Sequence, residues 1–150
     1  MGARGTQPSF TQLANVASAL VTAANTNSDG TGNITTPTMY VAFTAGGNGS
    51  YVEMVRLMAV ASAASTPTSP TTMRIYVSTV GAGATTSANT YLVAEIALPA
   101  ITADAPTAAT NAYDVPLGFA IPAGTFILVS SHVAAAANTG IRATVFGGDY

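Results

Sequence analysis

Thr125-Phe126-Ile127-Leu128-Val129-Ser130-Ser131-His132-Val133 is the stretch that decides the fold. It holds no Gly or Pro and is dominated by β-branched and apolar residues, the composition of a strand. Pro122-Ala123-Gly124 before it marks a chain reversal. Its apolar part, Phe126–Val133, is interrupted by Ser130 and Ser131 and is far shorter than the roughly 20 residues of a membrane span.

The same pattern extends outward in both directions. Tyr113, Val115, Leu117, Phe119 and Ile121 recur at period two, and Pro116 within that run predicts an edge or bulged strand. Tyr91–Leu98 places Leu92, Ala94, Ile96 and Leu98 on one face and Tyr91, Val93 and Glu95 on the other. Met73–Thr79 alternates Met73, Ile75 and Val77 against Arg74, Tyr76 and Ser78. Tyr51–Ser62 alternates Glu53, Val55, Leu57 and Ala59 against Val52, Met54, Arg56 and Met58. Met39–Thr44 and Ile141–Phe146 complete the clear strands. Between them lie Gly46-Gly47-Asn48-Gly49-Ser50, which predicts a hairpin, and breaks at Thr66–Thr72, Gly81-Ala82-Gly83 and Asp104-Ala105-Pro106-Thr107.

Residues 14–24 fit both periods. Val16, Leu20 and Ala24 suit a helix, while Ala14, Val16, Ser18, Leu20 and Thr22 suit a strand. The β character of the remainder favours the strand. Asn25-Thr26-Asn27-Ser28-Asp29-Gly30-Thr31-Gly32-Asn33 is a turn cluster. Residues 1–12 show no period and read as an N-terminal arm ahead of one domain over 13–150. The expected architecture is all-β, an antiparallel β-sandwich or jelly roll of seven to nine short strands.

Composition narrows the function. Only 7% of the 150 residues are charged, against roughly 25% in an ordinary soluble domain. Four Arg, no Lys and a net charge of −2 argue against a broad electrostatic surface for nucleic acid. Without Cys there is neither a disulfide framework nor a thiolate metal site. Met1-Gly2-Ala3-Arg4 is not followed by the apolar segment of a secretory signal. A low-charge, Ala- and Thr-rich chain is suited to lying against other protein rather than staying a free monomer.

Catalytic constellations are sparse, and no enzymatic activity is expected. His132 is the single histidine. On a strand, Ser131 and His132 point to opposite faces, and Ser130 lies about 6.5–7 Å from His132, too far for a nucleophile–base pair. Glu53 and Glu95 could approach each other, or pair with Arg56, Arg74 or Arg142; ion pairing is the expected role. Asn25–Gly30 lacks the acidic spacing of a calcium loop, and no Lys follows the Gly46–Ser50 turn as a phosphate loop requires. No cofactor or metal is expected.

Val41-Ala42-Phe43-Thr44-Ala45-Gly46-Gly47-Asn48-Gly49-Ser50-Tyr51-Val52, followed by Val55-Arg56, resembles a turn-and-strand segment of small structural proteins of tailed bacteriophages. The Asn/Asp/Gly-rich loop at 25–32, Leu117, Ile121-Pro122-Ala123-Gly124 and Val145-Phe146-Gly147-Gly148-Asp149-Tyr150 continue the similarity over about residues 25–150. The resemblance is greatest to head decoration, or cement, proteins. It implies a jelly roll or β-sandwich, often trimeric, seated on the capsid exterior over junctions of the major capsid protein, with no catalytic residues. Arg4, Gln7, Pro8 and Phe10 of the arm are the expected capsid contacts, and Arg56, Arg74 and Arg142 the ion-pair positions within or between subunits. Gly147–Tyr150, with Tyr150 at its end, is a second candidate docking segment. The alternative function is a tail-tip or fibre module that binds a host-surface glycan through its tyrosines.

Overall fold

The computed structural model describes residues 11–62, 67–103 and 110–150. The arm residues Arg4, Gln7, Pro8 and Phe10, and the loop at 104–107, lie outside the described residues. Ten strands and no helix are present among those described: β1 (Leu13–Val21), β2 (Gly32–Asn33), β3 (Tyr40–Thr44), β4 (Ser50–Ala61), β5 (Thr71–Ser78), β6 (Ala84–Thr85), β7 (Thr90–Leu98), β8 (Tyr113–Ile121), β9 (Phe126–Ser131) and β10 (Thr139–Asp149). Two of these, β2 and β6, are only two residues long, so the eight longer strands fall within the expected seven to nine. The ambiguous segment at 14–24 is a strand as far as Val21, because its inward positions Ala17, Ala19 and Val21 complete an apolar sheet face; residues 22–24 leave the sheet.

The long strands form two four-stranded sheets, β1-β10-β4-β8 (sheet I) and β3-β9-β5-β7 (sheet II). All pairings within them are antiparallel. The pairs β1–β10, β3–β9, β4–β8 and β5–β7 nest inside one another along the chain. This is one long ribbon wound upon itself, the plan of a jelly roll. The core lies between the sheets, with Val52, Val55, Leu57, Ile141 and Val145 of sheet I against Phe43, Met73, Ile75, Ile127 and Val129 of sheet II.

Pro116 behaves as its missing amide requires, since β8 is both an edge strand and bulged. Gly118, at φ +67°, supplies the left-handed backbone of that bulge. Opposite it, β4 carries its own irregularity, where Val52 pairs with Gly147 and Met54 with Phe146, so that Glu53 is skipped. The extra residue shifts the side-chain alternation. Val52 joins Val55, Leu57 and Ala59 in the core, while Glu53 is exposed, the reverse of what strict alternation predicted. A bulge at Val93 of β7 has the same effect: Ala94, Ile96 and Leu98 face inward, but Leu92 is 39% exposed.

The turn at Gly46–Ser50 is not a hairpin. It carries the chain from β3 in sheet II to β4 in sheet I, so its flanking strands are not partners. The Gly49 amide donates to the Gly46 carbonyl at 3.0 Å, and Gly49 takes φ +89°. Gly147–Asp149 is no loose tail either. It pairs with β1 on one side and β4 on the other, and the Tyr150 amide donates to the Gly49 carbonyl at 3.2 Å.

Candidate functional site

The two outer sheet faces differ. That of sheet II is roofed by residues 22–39. Met39 and Ile34 pack on Tyr76 and Leu128, and β2 pairs with β6 to tie this strap to the β5–β7 connection. The Asn25 amide donates to the Ser131 carbonyl at 2.7 Å, fastening the strap to β9. Asx turns shape it: the Asn25 side chain accepts from the Asn27 amide, and Asp29 from the Thr31 amide. Through that contact the Asp29 carboxyl is held below its usual range.

Arg74 lies beneath the strap, 7% exposed. Its Nε donates to Glu95 Oε1 at 2.6 Å, and its Nη1 donates to the carbonyls of Asn25 and Asn27 at 3.1 and 3.4 Å. Its Nη2 lies 3.3 Å from His132 Nδ1. The guanidinium is thus spent within the chain as a staple. Tyr76 completes the cluster by donating its hydroxyl to the Asn27 carbonyl at 3.3 Å. Burial pushes the Tyr76 phenol up, against the lowering effect of Ser130 and Arg74.

These contacts bring together Arg74, Glu95 and His132. The Ser130 hydroxyl donates toward Tyr76 at 3.5 Å, and that of Ser131 bonds Thr71 and the Val133 carbonyl. Neither serine bonds His132 among the described residues. Glu53 and Glu95 stand in different sheets and do not approach as a pair. No group of three potential metal-ligating side chains occurs among the described residues.

Among the described residues, the outer face of sheet I has no roof. Three rows cross it in register: Leu20–Arg142–Met58, Ser18–Thr144–Arg56–Asp114 and Val16–Phe146–Met54–Pro116. Val16 is 57% exposed and Leu20 37%. Arg56 grips Asp114 in two parallel bonds, at 2.7 and 2.8 Å, and lies 5.8 Å over the Phe146 ring. The bond from Arg56 holds the Asp114 carboxyl below its usual range, and the same bond raises the guanidinium. The face therefore carries an ion pair closed on itself amid apolar and hydroxyl side chains. Arg142, expected in an ion pair, makes none among the described residues. It borders a shallow groove of about 400 Å³ with Leu20, Val60, Ser62 and Thr139.

Sequence reasoning placed Arg56 and Arg142 correctly on strands but missed the face they share. The signal was present in outward positions that are apolar where a solvated sheet carries charge. Comparison with known protein families, characterised proteins and solved structures returns no match.

Proposed function

We propose that the chain is a structural virion protein of a tailed bacteriophage, a head decoration protein that binds the assembled shell at capsomer junctions. Its partners are the major capsid protein and further copies of itself. The observation that carries this reading is the open outer face of sheet I, which presents Val16, Leu20, Met54, Met58 and Phe146 around one internally paired charge couple. A monomer rarely leaves so contiguous an apolar sheet face in water without a partner for it. The sequence resemblance supplies the virion context. The jelly-roll plan serves capsid and lectin domains alike, so it supports the reading only as analogy.

On this reading the protein works mechanically. It binds only the assembled shell, and by mass action it stabilises the bound state over the empty one. The arm residues Arg4, Gln7, Pro8 and Phe10, with Tyr150, are the proposed capsid contacts.

The test is the copy number of this protein in purified particles relative to the major capsid protein. A ratio on the order of one to one, or one to three, is expected for occupancy of repeated symmetric junctions. A few copies per particle would move the protein to the tail and favour glycan binding. Absence from particles would end the virion reading.

A further inference from the structure

We propose that β1 is a strand-addition edge, and that it pairs antiparallel with β1 of a second copy about a two-fold axis. The inference rests on the reading of the chain as an assembling protein, and it names the contact.

The bonding order of sheet I leaves β1 half used. Asn138 stands opposite Ser62, one step beyond the Thr139–Ala61 pair, and the Ser62 amide donates to its carbonyl at 2.9 Å. Bonded and non-bonded pairs alternate along antiparallel strands, so Gly140, Arg142, Thr144 and Phe146 turn their backbone groups to β4. The residues between them, Ile141, Ala143 and Val145, turn theirs to Val21, Ala19 and Ala17 of β1. Ala14, Val16, Ser18 and Leu20 therefore point their amides and carbonyls away from β10. Thr22, next in that series, shows the direction: its carbonyl accepts from the Ala135 amide at 2.8 Å, and its amide donates to the Tyr40 hydroxyl at 3.3 Å. Among the described residues, no such partner meets the other four.

The other three sheet edges are blocked. β8 carries Pro116 and a bulge, β7 a bulge at Val93 and the charge of Glu95, and β3 is five residues long with a bulge at Ala42. These are the devices that keep sheet edges from pairing. β1 has none of them. Its nine residues hold no charge, Pro or Gly, and they pair with β10 without a break in register.

A second β1 fits this edge. An antiparallel strand set on itself matches each outward amide with a carbonyl, and an uncharged strand opposes no like charges. With the axis at Ala17, Ala14 faces Leu20 of the other copy and Val16 faces Ser18. All the outward groups of these residues are then bonded, about eight bonds in four facing pairs, against roughly ten in a standard interface. Sliding to the next register of the same parity leaves the outward groups of one of these residues in each copy unmatched. The two four-stranded sheets join into one, which leaves Met54, Met58 and Phe146 on the outer face for the shell. Such a contact is isologous and closes at two copies, whereas the trimer implied by the resemblance requires a heterologous contact.

The experiment is sedimentation equilibrium of the purified full-length chain over a range of concentrations, with disulfide trapping of cysteine variants. Wild type is expected to reach a dimer mass. Ser18→Pro removes an amide that bonds nothing within the described chain, so circular dichroism should be unchanged while the dimer weakens by about tenfold or more. Ala17→Cys adds a thiol to a chain that has no Cys. Its Cα should lie about 4.5–5.5 Å from its counterpart across the axis, within disulfide reach, and mild oxidation should give a covalent dimer. Ala19→Cys, displaced about 13 Å along the strands from its counterpart, should not crosslink. The cysteine pair decides the contact by itself should Ser18→Pro unfold. A wild-type monomer at all concentrations would leave the edge to a strand of another protein and overturn the inference. A trimer or open polymer, a dimer indifferent to a folded Ser18→Pro, or crosslinking at 19 in place of 17 would each overturn it too. Copy number in particles is measured independently, so loss of the virion reading is distinguishable from loss of the dimer.

Discussion

Arg74 and Glu95 stand opposite each other on β5 and β7, and the Arg74 Nε donates to Glu95 Oε1 at 2.6 Å. Glu95 is the outer, half-exposed end of this couple, with its side chain 44% accessible, while Arg74 is buried. The remaining guanidinium donors turn to the strap. Arg74 therefore matters less as half of a salt bridge than as the group that satisfies the strap's buried Asn25 carbonyl.

Replacing Arg74 with Met should cost about 2–3 kcal/mol, because the charge-assisted bond to the Asn25 carbonyl is lost and that acceptor remains buried, while the Asn27 carbonyl keeps the Tyr76 hydroxyl. Glu95→Gln, at the exposed end, should cost well under half as much. Urea denaturation midpoints measure both. Equal losses would show that the salt bridge, rather than the strap contacts, carries the stability.

Core and open face should respond oppositely to truncation. Leu57→Ala, at a fully buried position between the sheets, should cost about 2–5 kcal/mol. Val16→Ser, on the open face, should change the stability of the monomer by less than about 0.5 kcal/mol. Thermal unfolding at low protein concentration separates the two.

Gly49→Ala should destabilise by more than about 1 kcal/mol. At φ +89° an added Cβ would stand 2.7 Å from the Ile121 carbonyl oxygen, which is backbone and cannot turn aside. Gly47→Ala in the same turn meets nothing within 4 Å and should be nearly neutral. Comparable midpoints for the two variants would contradict this account of the sheet-to-sheet crossing.

Acid should weaken the fold through Asp149. Burial pushes its carboxyl up, but donors from Asn15, Ser50 and the Gly46 amide outweigh that and leave it below its ordinary value. A carboxyl lowered in the folded state contributes stability above its unfolded pKa of about 3.9, and loses it as pH falls through the folded value. Unfolding free energy should therefore fall between about pH 4 and the lowered native value, and Asp149→Asn should flatten that part of the profile. An unchanged acid limb in the variant would assign the loss to other carboxyls, Asp114 first.

The strands were legible because their period, composition and turn residues are local properties. Thr125–Val133 reads as a strand from its own side chains, and Pro116 announces an edge or bulge because it lacks an amide wherever it stands. The faces were legible only between bulges. Val52 and Leu92 were placed on the wrong sides because an extra residue is defined by the partner strand, and nothing in Tyr51–Ser62 or Tyr91–Leu98 alone records that partner.

The amino-acid sequence by itself determined an all-β chain, most of its turns, and a composition poor in charge. Tertiary structure decided what the same residue types do. Gly46–Ser50 crosses between sheets instead of closing a hairpin, since pairing depends on strands distant in the chain. Three arginines that look alike in sequence diverge: Arg74 is buried under a strap, Arg56 is locked to Asp114, and Arg142 borders an open groove. The physical reason is that alternation assigns a side chain to one face of a strand, whereas the layer that covers that face, or leaves it bare, comes from elsewhere in the chain.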